Sequence, residues 1–416
     1  MIRIGIVGCG RILAAHLRGY RALREAGIDN FRITALCARK LDDARMYSKR
    51  GDGPPQRSAV SDAPGNPLAV DDEYVSDFQD DVEVALYDDY REMIANGPID
   101  AVNDFTSHGM HHIVADVACN SGKHLLTQKP LAVTVAAART MCEQSEAAGL
   151  TLGVFENWRF RDRARFLRWF IDEGYLGKPQ IFLFGNVGNW WAPDRVVAHT
   201  PWRHVKKRAG GIALDLGVHQ FHLARQVIGD IDSIQGTSQV IEPVRHFQNA
   251  AGERETMTCD ADDIFSASFK SKDGAFGTIT ASWAGHGEGT LFGGVPVVYG
   301  SRGRVVGTTF TADDGATLDI GELYQEKCDP ARKETEFPKG ITDDFALSQL
   351  DWLQAITDSR PPQTSGREGL TDLACAFAIL ESDQAGRRVS VDEVINGTVS
   401  EYQMPIAKYH NIPIAM

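Results

Sequence analysis

The sequence predicts an α/β domain on a parallel sheet, followed by an α+β domain with a large, mostly antiparallel sheet. Three observations predict it. The first part of the chain alternates short apolar runs with stretches of helical periodicity, as strands do when they run parallel with helices on both faces. Later apolar runs are separated by glycine-bearing turns such as Lys272-Asp273-Gly274 and Ser301-Arg302-Gly303, as in an antiparallel sheet. At 416 residues the chain is too long for one ordinary core, so two domains, 1–156 and 157–416, are expected.

Ile2–Val7 is an apolar run that ends in Gly8-Cys9-Gly10. Arg11 to Ala26 then sets Ile12, Leu13, Leu17, Tyr20 and Leu23 at helical spacing. Phe31–Cys37 reads as the second strand. Gly51 to Asp81, rich in Gly, Pro, Asp and Ser, breaks the alternation and reads as an insertion or mobile loop on the scaffold. The alternation resumes with a helix at Asp88 to Ala95, a strand at Ile99–Thr106 and a helix at His111 to Asn120. A strand at Lys123–Thr127, a helix at Val133–Ala148 and a strand at Thr151–Phe155 complete it. In the second part a helix, Arg161 to Glu173, ends at Gly174. Gln180–Val187, Ile264–Lys270, Phe276–Trp283 and Val295–Tyr299 read as strands, with helices on one face of their sheet. Helices Asp344–Thr357 and Gly369–Ala385 close the chain.

Composition excludes several classes of partner. Hydrophobic residues make up 43% and charged residues 24%, a soluble globular profile. The net charge is −13 and no Lys/Arg block stands out, which argues against nucleic acid and anionic membrane surfaces. The seven cysteines are scattered without a CxxC pair, so reduced thiols are expected, with neither a disulfide frame nor a zinc site. No apolar run reaches membrane-spanning length, and the opening MIRIGIVG already reads as a strand, so neither a signal peptide nor an anchor is expected. A cytoplasmic protein is the expectation.

The glycine turn is the first chemical signal. Gly8-Cys9-Gly10 follows a strand and opens a helix, the setting of a Rossmann dinucleotide site. Gly8 makes the turn, Gly10 lets a pyrophosphate approach the backbone, and the helix start, with Arg11 and Ile12, offers N–H groups and positive potential. Leu13 stands where the fingerprint has a third glycine or an alanine. The end of the second strand should choose the cofactor. An acidic residue there would hold the adenosine ribose hydroxyls and favour NAD. This chain has Cys37-Ala38-Arg39-Lys40 instead, and two cations suit a 2′-phosphate, so the reading leans to NADP over NAD.

Further motifs follow in order: TSHGMH (Thr106 to His111), TQKP (Thr127 to Pro130), ENWRF (Glu156 to Phe160) and LDLGVH (Leu214 to His219). With VGCGRIL, His16 and the closing GREGLTDLACAFAILESDQAGRRV, they resemble the glucose–fructose oxidoreductase/inositol dehydrogenase family, Gfo/Idh/MocA, along most of the chain. TSHGMH sits where that family has a TPNxxH-like segment, TQKP matches its EKP, ENWRF its NxRF and LDLGVH its DxGxH. The resemblance implies an NAD(P)-dependent dehydrogenase acting on CH–OH groups. It places Lys129 beside the nicotinamide and the reacting hydroxyl, where the cation positions substrate and favours a developing alkoxide. It assigns Thr106, His111, Gln128 and Asn157 to the cofactor and Arg159 to the substrate. Gln128 replaces the family's glutamate and removes a charge beside Lys129.

Asp215 and His219 are the remaining catalytic candidates. Four apart, they share one face of a helical turn. A histidine can take the hydroxyl proton as hydride leaves the same carbon, and an aspartate can orient the imidazole or the substrate. Gly210-Gly211 before them suits a tightly folded chain. His222 stands where the family often has an aspartate. It is read as lining or supporting the pocket, and no metal is expected. Trp190, Trp191, Trp202 and Arg203 are the substrate-binding candidates, because indole faces stack on the C–H faces of sugar rings and Arg203 can bond hydroxyls, as can His204 and Lys206. With the family's preferences, they point to a sugar, cyclitol or glycoside substrate and a homo-oligomer. The resemblance leaves two other readings: an NAD-dependent glycosidase using transient oxidation, and a cofactor-binding sensor without chemistry.

Overall fold

The computed structural model describes residues 1–57, 61, 66, 69–188, 193–249, 251–289 and 294–413. The chain divides into two compact units. The first comprises Met1–Ala132, Ala137–Arg161 and Phe337–Gly369; the second comprises Val133–Ala136, Asp162–Glu336 and Leu370–Met416.

The first unit is a doubly wound α/β layer. Its strands are β1 (Ile2–Val7), β2 (Phe31–Cys37), β3 (Ala85–Tyr87), β4 (Ala101–Asp104), β5 (His124–Gln128) and β6 (Leu152–Phe155). They lie in the order β3-β2-β1-β4-β5-β6, all parallel. The intervening helices are α1 (Leu13–Glu25), α2 (Leu41–Ser48), α3 (Tyr90–Asn96), α4 (His108–Asn120) and α5 (Val135–Ala147). β2 is buried along its whole length, which is why its sequence, FRITALC, reads as a nearly continuous apolar run instead of an alternating one. Strand ends are level across the sheet: Val7 pairs with both Cys37 and Asp104, Asp104 with Thr127, and Gln128 with Phe155.

Of the stretch 51–81, read as an insertion or mobile loop, residues 51–57, 61, 66 and 69–81 are described. In its described part Val75, Glu73 and Tyr74 are buried around a turn of 3-10 helix at Val75–Asp77. Glu73 is bound by Arg21 at 2.7 Å, and Asp77 by Arg50 at 2.7 Å. Gln79 accepts from the Ile33 amide at 3.0 Å and donates to the Ile33 carbonyl at 2.6 Å, so a side-chain amide satisfies the β2 backbone where β3 does not reach.

A distant segment completes the first unit. Helix α10 (Asp344–Asp358) is capped by the Asp343 side chain, which accepts from the Ala346 amide at 2.8 Å. It packs Phe345, Ala346, Leu350 and Leu353 into the same core as α1 and β1. Trp352 is fully buried, and its Nε1 donates to the Leu125 carbonyl at 3.2 Å. Gly153 of β6 makes room for it, because a Cβ there would lie 2.9 Å from the indole.

The second unit carries the mostly antiparallel sheet, nine strands in the order β16-β15-β14-β13-β7-β12-β11-β8-β17. These are β7 (Pro179–Val187), β8 (Ile231–Gln239), β11 (Ile264–Ser271), β12 (Phe276–Ser282), β13 (Val297–Gly300), β14 (Gly303–Val306), β15 (Thr309–Ala312), β16 (Thr317–Asp319) and β17 (Val389–Ser390). One pair, β7 with β12, is parallel. β9 (Val244–Gln248) and β10 (Arg254–Thr258) form a separate two-stranded ribbon. The unit's helices are α6 (Asp162–Asp172), α7 (Val218–Ile228), α8 (Ile320–Lys327), α9 (Pro330–Glu336), α12 (Val391–Ile395) and α13 (Met404–His410), together with most of α11 (Gly366–Ala385). β11 alternates buried and outward positions along most of its length, as a sheet with one covered face requires.

Because Trp352 has no room to be replaced by solvent, Trp352→Ala is expected to lower unfolding free energy by about 3–5 kcal/mol. Urea denaturation followed by circular dichroism measures it, and an unchanged midpoint would show that α10 is dispensable to the first core.

Candidate active site

In the first unit the polar candidates stand just beyond the level strand ends. Arg39 and Lys40 follow β2, Gly8 to Ile12 follow β1, Thr106 follows β4, Lys129 follows β5 and Asn157 follows β6. Ligands of such sheets lie outside the carboxyl ends of the strands, at the point where the strand order reverses, here between β1 and β4. From β2 to β5 is three strand spacings, roughly 14 Å.

The glycine turn has one packed and one open side. Gly8 has φ +101°, and a Cβ on it would lie 2.6–2.8 Å from the Phe105–Thr106 backbone, so glycine is required there. A Cβ on Gly10 would meet nothing within 4 Å, which leaves open the approach a pyrophosphate needs. Arg11 is exposed and Ile12 half-buried at the start of α1. Arg39 and Lys40 are exposed and make no ion pair among the described residues.

Asp104, which sequence reasoning passed over, organises the next two strand ends. Its buried carboxylate accepts from the Thr106 amide at 3.0 Å, from the Thr106 hydroxyl at 2.6 Å and from the Thr127 hydroxyl at 3.2 Å. His111, read as a cofactor ligand, is fully buried. Its Nδ1 lies 2.9 Å from the Pro130 carbonyl and its Nε2 3.4 Å from that of Thr106, so the ring ties the loop after β4 to the one after β5. The Lys129–Pro130 bond is cis. Lys129 itself is half-buried. Asn157, also read as a cofactor ligand, is buried and donates to Asp344 of α10 at 2.7 Å, while the neighbouring Arg159 is half-buried.

Gln128 has a partner of its own. Its amide lies 2.7 Å from Nε2 of His16, which is fully buried and stacked on Phe105 with ring centroids 3.6 Å apart. Burial, aided by the nearby Arg18 charge, holds the His16 ring well below its usual pKa, so the contact joins two uncharged groups.

In the second unit the chain enters α7 through a π-helical turn, Ala213–Gly217, which carries Asp215. Such turns recur at functional sites. Two glycines before it permit close packing. A Cβ on Gly210 would lie 2.5 Å from the Arg203 carbonyl, and one on Gly211 only 1.9 Å from Oδ1 of Asp262. Asp215 accepts from Nε of Arg203 at 3.0 Å, and Arg203 also donates to the Thr200 hydroxyl at 2.5 Å and stacks on Trp202 at 4.4 Å. One substrate-binding candidate therefore holds a catalytic candidate. His219 is buried in the first turn of α7.

His222 is also buried, with Nδ1 2.7 Å from Asp372 of α11; the other oxygen of that carboxylate accepts from Arg225 at 2.6 Å. Burial alone would raise the Asp372 pKa, but His222 and Arg225 together hold it below the usual carboxylate value. His204 accepts from the Val197 amide at 3.0 Å and is kept neutral, its pKa lowered by burial and by Arg245 and Arg203 to about 3. Lys206 lies over the Tyr402 ring at 3.8 Å. Trp190 and Trp191 lie outside the described residues. Among the described residues no group of three or more His, Cys, Asp or Glu side chains could hold a metal, and no helix is long and apolar enough to cross a membrane.

Comparison with known families agrees with this geometry. The model of an oxidoreductase family with an NAD-binding Rossmann fold matches residues 2–156, and that of the GFO/IDH/MocA C-terminal domain matches residues 164–309. Together they span more than half the chain. The chain belongs to the Gfo/Idh/MocA oxidoreductase family. Among curated members it is 25% identical to a myo-inositol 2-dehydrogenase of Thermotoga maritima, over 95% of this chain and 100% of that protein. It is 25% identical to a D-apiose dehydrogenase of Paraburkholderia graminis, over 93% of this chain and 88% of that one. Among solved structures, a levoglucosan dehydrogenase in complex with NADH and L-sorbose superposes with a TM-score of 0.72 at 20% identity, covering 95% of this chain and 100% of that one. The open side of the turn at Gly10 and the row of polar residues at the strand ends fit the dinucleotide of the family's Rossmann fold.

Asp262 shows how tightly the segment before α7 is built. Its carboxylate accepts from the Ala213 amide at 2.8 Å, its carbonyl accepts from the Ile212 amide at 2.9 Å, and its Oδ1 has no partner among the described residues. Burial pushes its pKa up to about 7. In the unfolded chain the group titrates near pH ~4. Between those values the folded state holds a proton that the unfolded state has lost, so stability falls as pH rises through this window. Asp262→Asn is expected to flatten that fall. Urea midpoints at pH 5 and pH 8 test it, and an equal drop in variant and parent would contradict it.

Proposed function

We propose that this protein moves a hydride between a nicotinamide cofactor and a secondary alcohol or ketone of a sugar, cyclitol or glycoside. The observation that carries the reading is the row of residues beyond the level strand ends, from Arg39 and Lys40 after β2 to Lys129 after β5. Family membership supplies the chemistry. The relatives compared above are named for myo-inositol, D-apiose and levoglucosan, all polyhydroxylated, and this supports a substrate of that class.

In this reading the bound nicotinamide exchanges hydride with the carbinol carbon. Lys129 positions the substrate oxygen and stabilises negative charge on it. His219 takes the hydroxyl proton during oxidation and returns it during reduction. Asp215, held by Arg203, orients these groups. Gly8, Gly10, Arg11 and Ile12 receive the pyrophosphate. Arg159, Trp202 and Arg203 contact the substrate. Thr106, His111, Gln128, Asn157 and His222 act mainly by holding the loops and helices that present the others. Arg39 and Lys40, exposed and without an ion pair among the described residues, favour NADP. Ile181 and Phe276, register partners on β7 and β12, are 37% and 41% exposed and support self-association through the large sheet.

Titration of cofactor-free protein with NADPH and NADH, followed by nicotinamide fluorescence, is expected to show tighter NADPH binding. On a panel of sugars and cyclitols, Lys129→Ala is expected to lower kcat by roughly 10²-fold or more while NADPH affinity is kept. Binding of cofactor without turnover of any panel member would favour the sensor reading. Cleavage of glycosides without net cofactor reduction would favour the glycosidase.

A further inference from the structure

We propose that Arg57, in the stretch set aside by sequence as an insertion, is a cofactor-binding residue that selects for a phosphate on the adenosine ribose. The inference rests on the NADP reading above and deepens it.

Arg57 bridges the glycine turn and α2. Its Nη1 donates to the carbonyl of Cys9, the middle residue of the glycine turn, at 3.0 Å. Its Nη2 donates to Asp43 in the first turn of α2 at 2.5 Å. The insertion therefore reaches back to the turn that receives the pyrophosphate and to the helix that follows Arg39 and Lys40. Tyr47 of α2 fixes the other side of the turn by donating to the Gly10 carbonyl at 2.9 Å. Burial pushes the Tyr47 phenol up to about 12, while the charges of Arg57 and Arg11 act against that rise. The Arg57 and Asp43 side chains remain 32% and 30% exposed, so the pair stands at the rim and not in the core.

NAD-selective Rossmann sites use a carboxylate near the end of β2 to hold the ribose hydroxyls, and such a carboxylate repels a 2′-phosphate. The first turn of α2 contains two candidates, Asp42 and Asp43. Both are engaged by arginines: Asp42 by Arg45 at 2.7 Å and Asp43 by Arg57 at 2.5 Å. Asp43 is the less exposed of the two. Arg57 thus neutralises a carboxylate in the first turn after β2 that would repel a 2′-phosphate, and adds a guanidinium to the cations after β2. Without it, Asp43 would be free to accept from ribose hydroxyls, and the selectivity would turn toward NAD. A merely structural Arg57 would anchor the insertion and serve both cofactors equally.

The test uses adenosine 2′,5′-bisphosphate and AMP as probes in calorimetric titrations of the cofactor-free full chain, with folding of each variant checked by circular dichroism. The parent is expected to prefer the bisphosphate. Arg57→Ala is expected to weaken bisphosphate binding about tenfold or more, the scale of one charge-assisted hydrogen bond, and to leave AMP binding unchanged or tighter. Arg57→Lys should retain part of the preference. Asp43→Asn added to Arg57→Ala should restore part of it, because the repelling charge is gone. If Arg57→Ala weakens both probes alike, or if the double variant recovers nothing, the inference is overturned. If Arg57→Ala keeps the preference and Arg39→Ala with Lys40→Ala abolishes it, the NADP reading stands and only the role of Arg57 falls. If the parent shows no preference, the NADP reading itself falls, and this inference with it.

Discussion

The buried imidazole of His16 is the point on which the sheet edge of the first unit depends. It stacks on Phe105, whose backbone lies so close to Gly8 that no side chain fits between them. It meets Phe155 at the end of β6 and Phe345 of α10 edge-on. Its backbone carbonyl accepts from Gln349 of α10 at 3.0 Å, and its Nε2 touches the Gln128 amide. The loops after β1 and β4, the ends of β5 and β6 and one distant helix are all referred to one ring. A charged imidazole in that position would carry a large desolvation cost, so the ring stays neutral. The uncharged amide of Gln128 suits it, because neither side of the contact brings a charge into the apolar cluster.

The second unit is organised differently, by hydrogen bonds to carboxylates. Arg203 with Asp215, Arg225 and His222 with Asp372, and Arg245 with Asp263 are largely or fully removed from water. Breaking one partner of such a pair is costly, whereas the pair as a whole adds little net stability. Their effect is on geometry. Arg203 helps to hold Asp215 in place, and α7 cannot rotate without pulling His222 and Arg225 off Asp372. The helix that presents His219 is thereby fixed in its rotation about its own axis.

Much of this was legible in the sequence. Phe31–Cys37, the glycine turn and the helices after it were readable because buried strands and amphipathic helices leave different periods in the sequence and glycine marks the turn between them. The row of residues at the strand ends followed from those boundaries. Side-chain partnerships were not legible. Nothing local to Asp372 announces that it receives His222 and Arg225 from another helix, and the Gln79 amide that stands in for a strand beside Ile33 looks like any polar residue in a loop. His16 sits on the apolar face of a helix, where composition suggests only a packed ring. In the described part of the stretch 51–81, Gly, Pro and Asp signal the absence of regular structure, and the burial of Glu73, Tyr74 and Val75 leaves no mark of that kind. Nothing local to His111 or Asn157 announces their bonds to the Pro130 carbonyl and to Asp344.

The membership of α10 in the first unit has a consequence for how the protein comes into being. On the ribosome, β1 to β6 emerge long before the helix that carries Phe345, Leu350 and Trp352, because residues 162–336 are made in between. Until then the nascent sheet exposes the apolar surface that α10 later covers, including the space beside Gly153. Amino-terminal domains usually fold while the rest of the chain is still being synthesised. Here the first domain cannot finish in that way, and its completion waits for translation to pass residue 353. Contacts of such wide sequence separation also slow folding. A chaperone that shields the unfinished sheet during that interval would act on this protein at a stage when most α/β domains no longer need one.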